Sequence, residues 1–221
     1  GLMGGFLGAG LTQNDVWEYD GTNWVQVVSA TPSPSYRGGA AFAYDQATSE
    51  CVLLGGSNGG LRAQDMWSWN GTRWQLLSQQ TQPYGMGQGT TTATPSGDGV
   101  LYLEQSLASP SPQTMVWNGT SWAAVAGTAP TLLTDFTLTT GPSMVYRYGG
   151  FDPVTSLYTS DLWGWDGTNW QLLSNQGPVD GLGAAICYDW VRGELLLFGG
   201  VDNANNAMAE TWVWNGTAWQ Q

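Results

Sequence analysis

The sequence predicts an all-β chain built from five tandem repeats, and three observations carry that prediction. The first is the stretch Asp161–Trp170, Asp-Leu-Trp-Gly-Trp-Asp-Gly-Thr-Asn-Trp, which recurs at Asp15–Trp24, Asp65–Trp74 and Glu210–Trp219 and, more weakly, at Gln113–Trp122. The closing tryptophans of these copies, Trp24, Trp74, Trp122, Trp170 and Trp219, lie 50, 48, 48 and 49 residues apart, a period that marks one supersecondary unit copied in tandem. The second is the texture inside each period: short apolar runs bounded by Gly, Pro and Asn, which are strand signals, with no helical period of comparable strength. The third is that, of fourteen tryptophans, all but Trp190 fall at repeat-equivalent positions, as packing residues would.

The repeats divide at about 1–36, 37–85, 86–132, 133–181 and 182–221, one domain from end to end. In the second, Arg37–Tyr44 is a small-residue strand A and Cys51–Leu54 an apolar strand B ended by Gly55-Gly56. Strand C follows at Asp65–Trp69, and the pair Asn70-Gly71 turns the chain into strand D, Trp74–Leu77. Equivalent pairs are Asp20-Gly21, Asn118-Gly119, Asp166-Gly167 and Asn215-Gly216; Gly and Asn tolerate the positive φ of a tight hairpin best. Side chains alternate along a strand, so Trp67 and Trp69 share one face while Met66 and Ser68 take the other. Strand B recurs from Leu2-Met3 onward, but strand A is found in only four repeats, around Arg37–Tyr44, Gly87–Thr94, Thr134–Thr140 and Leu182–Tyr188. The first unit therefore lacks its inner strand. Four-stranded units of this period with patterned aromatics point to a β-propeller of about five blades.

The double glycine after strand B, the Asp-x-Trp-x-Trp of strand C and the closing Trp resemble the Kelch repeat. The run Arg-Gly-Gly-Ala-Ala-Phe-Ala-Tyr-Asp at 37–45 is similar to the Kelch-type repeats of secreted bacterial proteins. The resemblance covers nearly the whole chain. It implies a propeller whose small-residue strands line the axis, and a binding scaffold as the commonest role. The third repeat departs from the pattern, with Glu104-Gln105 for the double glycine, Gln113 for the strand C Asp and Met115 for its first Trp.

Composition removes several classes of function. Apolar residues make up 42%, enough for a core, but charged residues only 10%, so the surface is built largely of Ser, Thr, Asn, Gln and Gly. With no Lys, no His, five Arg and seventeen acids, the net charge of −12 excludes a basic stripe for nucleic acid and disfavours anionic membranes. No run of apolar residues is long enough to span a bilayer. Cys51 and Cys187 lie at different strand positions of distant repeats and are expected to remain unbridged. The scarcity of cations suits an extracellular or cell-surface setting, and any leader is expected to lie outside Gly1–Gln221.

The absence of His excludes Ser-His-Asp and Cys-His catalysis and a histidine-held copper site. The five arginines, scattered over repeats, make no carboxylate-binding cluster. Most acids recur at turns or strand ends, which leaves Glu104, Asp135, Arg147 and Asp152 as charges that break the repeat and as the candidate binding residues. Asn70, Asn118 and Asn215 open Asn-Gly-Thr sequons and are candidate glycosylation sites, although Asp replaces Asn in two repeats as a turn would allow. The C–D turns are nearly invariant, whereas the B–C loops (6–14, 57–64, 106–112, 151–160 and 201–209) vary, and variable loops on a rigid scaffold are where binding resides. The expectation is a non-catalytic module that engages a protein or a glycan through its B–C face, with no cofactor and no metal. The alternatives are a structural subunit or fragment of a larger propeller, and a hydrolase that pairs two carboxylates on a glycan. The incomplete first unit adds an expectation of self-association through its uncovered edge.

Overall fold

Runs of four or five β-formers, each closed by glycine or a side-chain-capped turn, leave this chain short antiparallel strands, and the computed structural model contains no helix among its described residues. It describes residues 2–7, 11–28, 31–58, 61–78, 89–104, 114–125, 130, 133–178, 183–204 and 206–221. The first sheet has three strands, β1 (Leu2–Leu7), β2 (Leu11–Tyr19) and β3 (Trp24–Val27), in the order β1-β2-β3. The second is β4 (Ala41–Asp45), β5 (Glu50–Leu54), β8 (Met66–Trp69) and β9 (Trp74–Ser78), with a small separate hairpin of β6 (Ser57–Asn58) and β7 (Leu61–Arg62) inserted after β5. The third is β10 (Gly89–Ala93), β11 (Val100–Glu104), β12 (Thr114–Trp117) and β13 (Trp122–Ala124). The fourth is β14 (Thr137–Thr140), β15 (Val145–Asp152), β16 (Leu157–Trp165) and β17 (Trp170–Ser174). The fifth is β18 (Ala185–Asp189), β19 (Glu194–Phe198), β20 (Thr211–Trp214) and β21 (Trp219–Gln220). Each sheet is an antiparallel meander in chain order, as expected of blades, and among the described residues the first has three strands where the others have four.

The core lies between sheets. Strand alternation gives each sheet a tryptophan face and an aliphatic face, and the tryptophan face packs on the aliphatic face of the sheet before it. Trp67, Trp69 and Trp74 of the second sheet cluster with Val16 and Val27 of the first. Met115 and Trp117 of the third cluster with Val52, Leu54 and Met66 of the second. Trp165 and Trp170 of the fourth meet Val116 and Val125 of the third, and Trp214 of the fifth meets Tyr148 and Leu162 of the fourth. The four inner strands β4, β10, β14 and β18 pack side by side in that order. Among the described residues no hydrophobic cluster joins the fifth sheet to the first.

Two local devices recur, and both differ in detail from the sequence reading. The C–D turn is a four-residue loop rather than a two-residue one: Trp69 pairs with Trp74 across Asn70–Arg73. Only the glycine takes positive φ, 92° at Gly71, while Asn70 Oδ1 accepts from Thr72 N, Thr72 Oγ1 and Arg73 N at 3.0, 2.8 and 3.1 Å. The aromatic pair closing each loop has ring centroids 5.2 Å apart at Trp69–Trp74 and 5.6 Å at Trp117–Trp122 and Trp214–Trp219.

The second device is the double glycine, which is a β-bulge in the first and fourth repeats and follows the end of strand B in the second and fifth. The β15–β16 register shifts between Tyr148 and Gly150, after which the ladder continues through Phe151↔Tyr158 and Asp152↔Leu157. Residues 151–160, and likewise residues 6, 7 and 11–14 of the first repeat, are therefore largely hairpin extensions of strands B and C rather than loops. The bulge bends the hairpin so that Phe151 and Thr134 exchange hydrogen bonds of 2.7 and 2.9 Å, as Ser57 and Gly38 do in the second repeat. Only glycine fits there. Gly150 has φ 123°, and a Cβ on it would lie 2.9 Å from both Leu133 Cβ and the Thr134 carbonyl oxygen.

Candidate functional site

The bulged hairpins, and therefore the residues that differ most between repeats, gather at one end of the sheets. In the second repeat that end carries an open cleft of about 380 Å³ lined by Ser35, Ala63, Gln64, Asp65, Trp67 and Leu76. Its polar wall is a buried clamp. Arg37, 1% exposed, donates Nη1 to Asp65 Oδ1 at 2.6 Å and Nη2 to Asp65 Oδ2 at 2.9 Å, a bidentate pair. The same guanidinium donates to the carbonyl oxygens of Ser35 and Gly55, both at 3.0 Å, and so ties the link between the first two sheets to the double glycine. Asp65 Oδ2 also accepts from Trp67 Nε1 at 2.7 Å, which fixes the indole that forms the apolar wall. Burial alone would raise the Asp65 pKa, but the hydrogen bonds from Arg37 and Trp67 and the guanidinium charge outweigh it and hold the carboxyl below the usual range. The first repeat repeats part of this, with Trp17 Nε1 donating to Asp15 Oδ2 at 2.6 Å. The cleft thus presents a carboxylate already committed to a cation, the exposed rim of the largely buried Trp67 indole and the side chain of Gln64. It offers an uncharged polar surface rather than a free acid or base.

The residues singled out from the sequence are dispersed. Glu104 closes β11 opposite Gly89. Asp135 lies not in strand A but just before β14, exposed, at φ 57°. Gly39 and Gly183 hold the same place in their repeats at φ 65° and 76°, so Asp135 occupies a left-handed turn position that Asp tolerates better than most side chains. Asp152 caps the tip of its B–C hairpin, accepting from Val154 N at 2.8 Å and Thr155 Oγ1 at 2.9 Å, and these bonds lower its pKa. Arg147 is 1% exposed and stacks over the Phe136 ring at 4.7 Å. Burial pulls its guanidinium down to about 9, with the Asp161 carboxylate opposing. It sits opposite Trp163, where the second repeat has the buried Leu53 opposite Trp67. Asn118 and Asn215 each accept three hydrogen bonds within their turns, as Asn70 does, including two from the sequon threonine through its N–H and its hydroxyl, and all three asparagines are exposed.

Other acids are likewise used as turn caps. Asp20 and Asp166 accept from two backbone N–H groups each, Asp45 from Ala47 N, and Asp189 from Val191 N, Arg192 N and the Arg192 guanidinium. Among the described residues no group of three His, Cys, Asp or Glu is placed to hold a metal ion. Cys51 and Cys187 are both free thiols. The clamp of Arg37 on Asp65 was not singled out in the sequence. The only signal for it is a lone Arg before a run of small residues, in a repeat whose strand C opens with Asp. Trp190, the one tryptophan outside the repeat, is 64% exposed and meets Tyr188 edge-on at 5.3 Å.

Comparison with models of protein families finds no match for the chain, and comparison with curated proteins finds none either.

Proposed function

We propose that the chain is an array of Kelch-like propeller blades that acts as a non-catalytic, extracellular or cell-surface binding module, and that it engages a protein or a glycan through the B–C end of its sheets. The observation that carries this reading is the asymmetry between the two ends. The C–D turns repeat one geometry, whereas the B–C end varies from a short separate hairpin after β5 to an eight-residue β15 and holds the cleft beside Trp67. The exposed rim of the Trp67 indole next to amide and hydroxyl groups suits an apolar edge of a sugar or a peptide group, and a net charge of −12 disfavours anionic ligands. Of the acids that could serve a hydrolase, Asp20, Asp45, Asp152, Asp166, Asp189 and Asp202 are hydrogen-bonded caps and Asp65 is half of an ion pair.

A glycan array and a panel of uncharged peptides, each probed with the wild-type chain and with Gln64→Arg, test the proposal. Binding that Gln64→Arg abolishes, with the melting temperature unchanged and no reducing sugar released, is the expected result. Binding insensitive to that change would move the site away from the cleft, and release of reducing sugar would replace the binding module with an enzyme.

A further inference from the structure

The four interfaces between sheets follow one rule, tryptophan face onto the aliphatic face of the preceding sheet, and the rule leaves two faces over. The first sheet presents a tryptophan face, formed by Trp17, Tyr19 and Trp24, on which no sheet of the described residues packs. Tyr19 is 54% and Trp24 53% exposed, whereas their counterparts Trp69 and Trp74 in the second sheet are 3% and 2% exposed. The fifth sheet presents an aliphatic face, formed by Ala185, Cys187, Leu196, Phe198 and Val213, on which no sheet of the described residues packs. Phe198 is 55% exposed, while Leu54 and Tyr148, at the same register position of the second and fourth sheets, are each 1% exposed. Both halves of a contact that the chain makes four times are therefore open on one molecule.

We infer that these faces are the two halves of a head-to-tail interface, and that a second copy of this chain seats the aliphatic face of its fifth sheet on the tryptophan face of the first sheet. Three features favour a second copy over an unrelated partner. The contact continues an interface already made within the chain, with the same residue types at the same register positions. The centres of both faces are uncharged, although the chain carries a net −12; of the acids near them, Asp15 lies within β2 and is engaged by Trp17 Nε1, while Asp189 and Glu194 stand at strand ends. The internal interface tolerates the same ring, since Asp65, Asp45 and Glu50 occupy the corresponding positions of the second sheet. Because the two faces differ, the contact is heterologous, and it adds copies in one direction until a ring closes. It also sets a second chain beside β1, whose outer edge has no ladder partner among the described residues.

Analytical ultracentrifugation of the 221-residue chain over a wide concentration range, with two variants, tests this. Phe198→Glu blocks the aliphatic face and Trp24→Glu the tryptophan face, and both residues are more than half exposed in the single chain. The wild type is expected to grow in mass with concentration and each variant alone to stay monomeric. An equimolar mixture of the two variants, which retains one intact face of each kind, is expected to form a species of two chains and nothing larger. Cys187→Glu and Tyr19→Glu give the same readout should either first substitution unfold the chain. A wild type that remains monomeric throughout, variants that associate as the wild type does, or a mixture that stays monomeric would each overturn the inference.

Discussion

At the scale of single residues, the same side chain in the same repeat position has different energetic weight in different sheets. Trp165 is 3% exposed and packed between the third and fourth sheets, so Trp165→Ala should cost about 3–5 kcal/mol in denaturant unfolding, as large aromatic truncations do. Trp24→Ala removes a half-exposed indole and should cost about 1 kcal/mol or less. Equal losses at the two positions would mean that the first sheet is covered in the monomer. Arg147 makes the opposite point. It is a buried cation at a position where the second repeat uses Leu53, and burial lowers its pKa because the interior disfavours its charge. Arg147→Leu should therefore leave stability unchanged or raise it by about 1–4 kcal/mol, read as a shift in denaturation midpoint. A loss of stability comparable to that of Trp165→Ala would show that the guanidinium anchors more than its stack on Phe136.

At the scale of the element, the bulged B–C hairpin depends on glycine in a way that the turn residues do not. Gly150→Ala forces a Cβ against Leu133 and the Thr134 carbonyl at a φ that L residues avoid, and should cost more than about 1 kcal/mol. Asp135→Gly, at a left-handed position where two other repeats already have glycine, should change stability by less than about 1 kcal/mol. Thermal melts of both variants decide this, and a larger loss at Asp135 than at Gly150 would reverse the assignment of the two roles. The strands themselves were legible in the sequence, because apolar alternation and Gly or Asn punctuation are local signals. Gly150 was legible only as part of a repeated pair. Residues 151–160 looked like a loop because a bulge breaks the alternation on which strand reading depends, while the ladder resumes beyond it. Asp135 looked like a charge inside a strand because a single left-handed residue before β14 leaves no mark on composition.

At the scale of the whole molecule, the recurrence of the sheets was legible in the spacing of the tryptophans, and so was their role as packing residues. Two things were not. The clamp of Arg37 on Asp65 joins residues far apart in sequence, and a lone cation carries no periodic signal. The exposure of the terminal faces is a property of what lies beside each sheet, which no residue in that sheet encodes. The acid response belongs to this scale because the carboxylates act together. Asp20 and Asp166 are held low by backbone donors, Asn23 then Thr22 and Asn169 then Thr168, and Asp65 is held low, against the effect of its burial, chiefly by its bonds to Arg37 and Trp67. A carboxyl whose folded pKa is depressed contributes stability that is fully present above its unfolded value of about 3.9 and is lost as pH falls through the folded value. Arg147, a base depressed to about 9, has the opposite sense: its penalty is constant below that pH and is relieved only above it. With no histidine, the melting temperature should be flat between about pH 5 and 8 and fall below about pH 4. A steep change near pH 6 in circular-dichroism melts would contradict this assignment.

The central claim is that one packing rule joins the five sheets and leaves a tryptophan face open at one end and an aliphatic face open at the other. Hydroxyl-radical footprinting with residue-resolved mass spectrometry tests it most directly, at a dilution where the chain sediments as a monomer. Heavy labelling of Trp24, Tyr19 and Phe198, comparable to that of the exposed Trp190, is expected together with protection of Trp69, Trp74, Trp165 and Trp214. Protection of Trp24 equal to that of Trp74 in the monomer would contradict it, because some part of the same chain would then cover the first face.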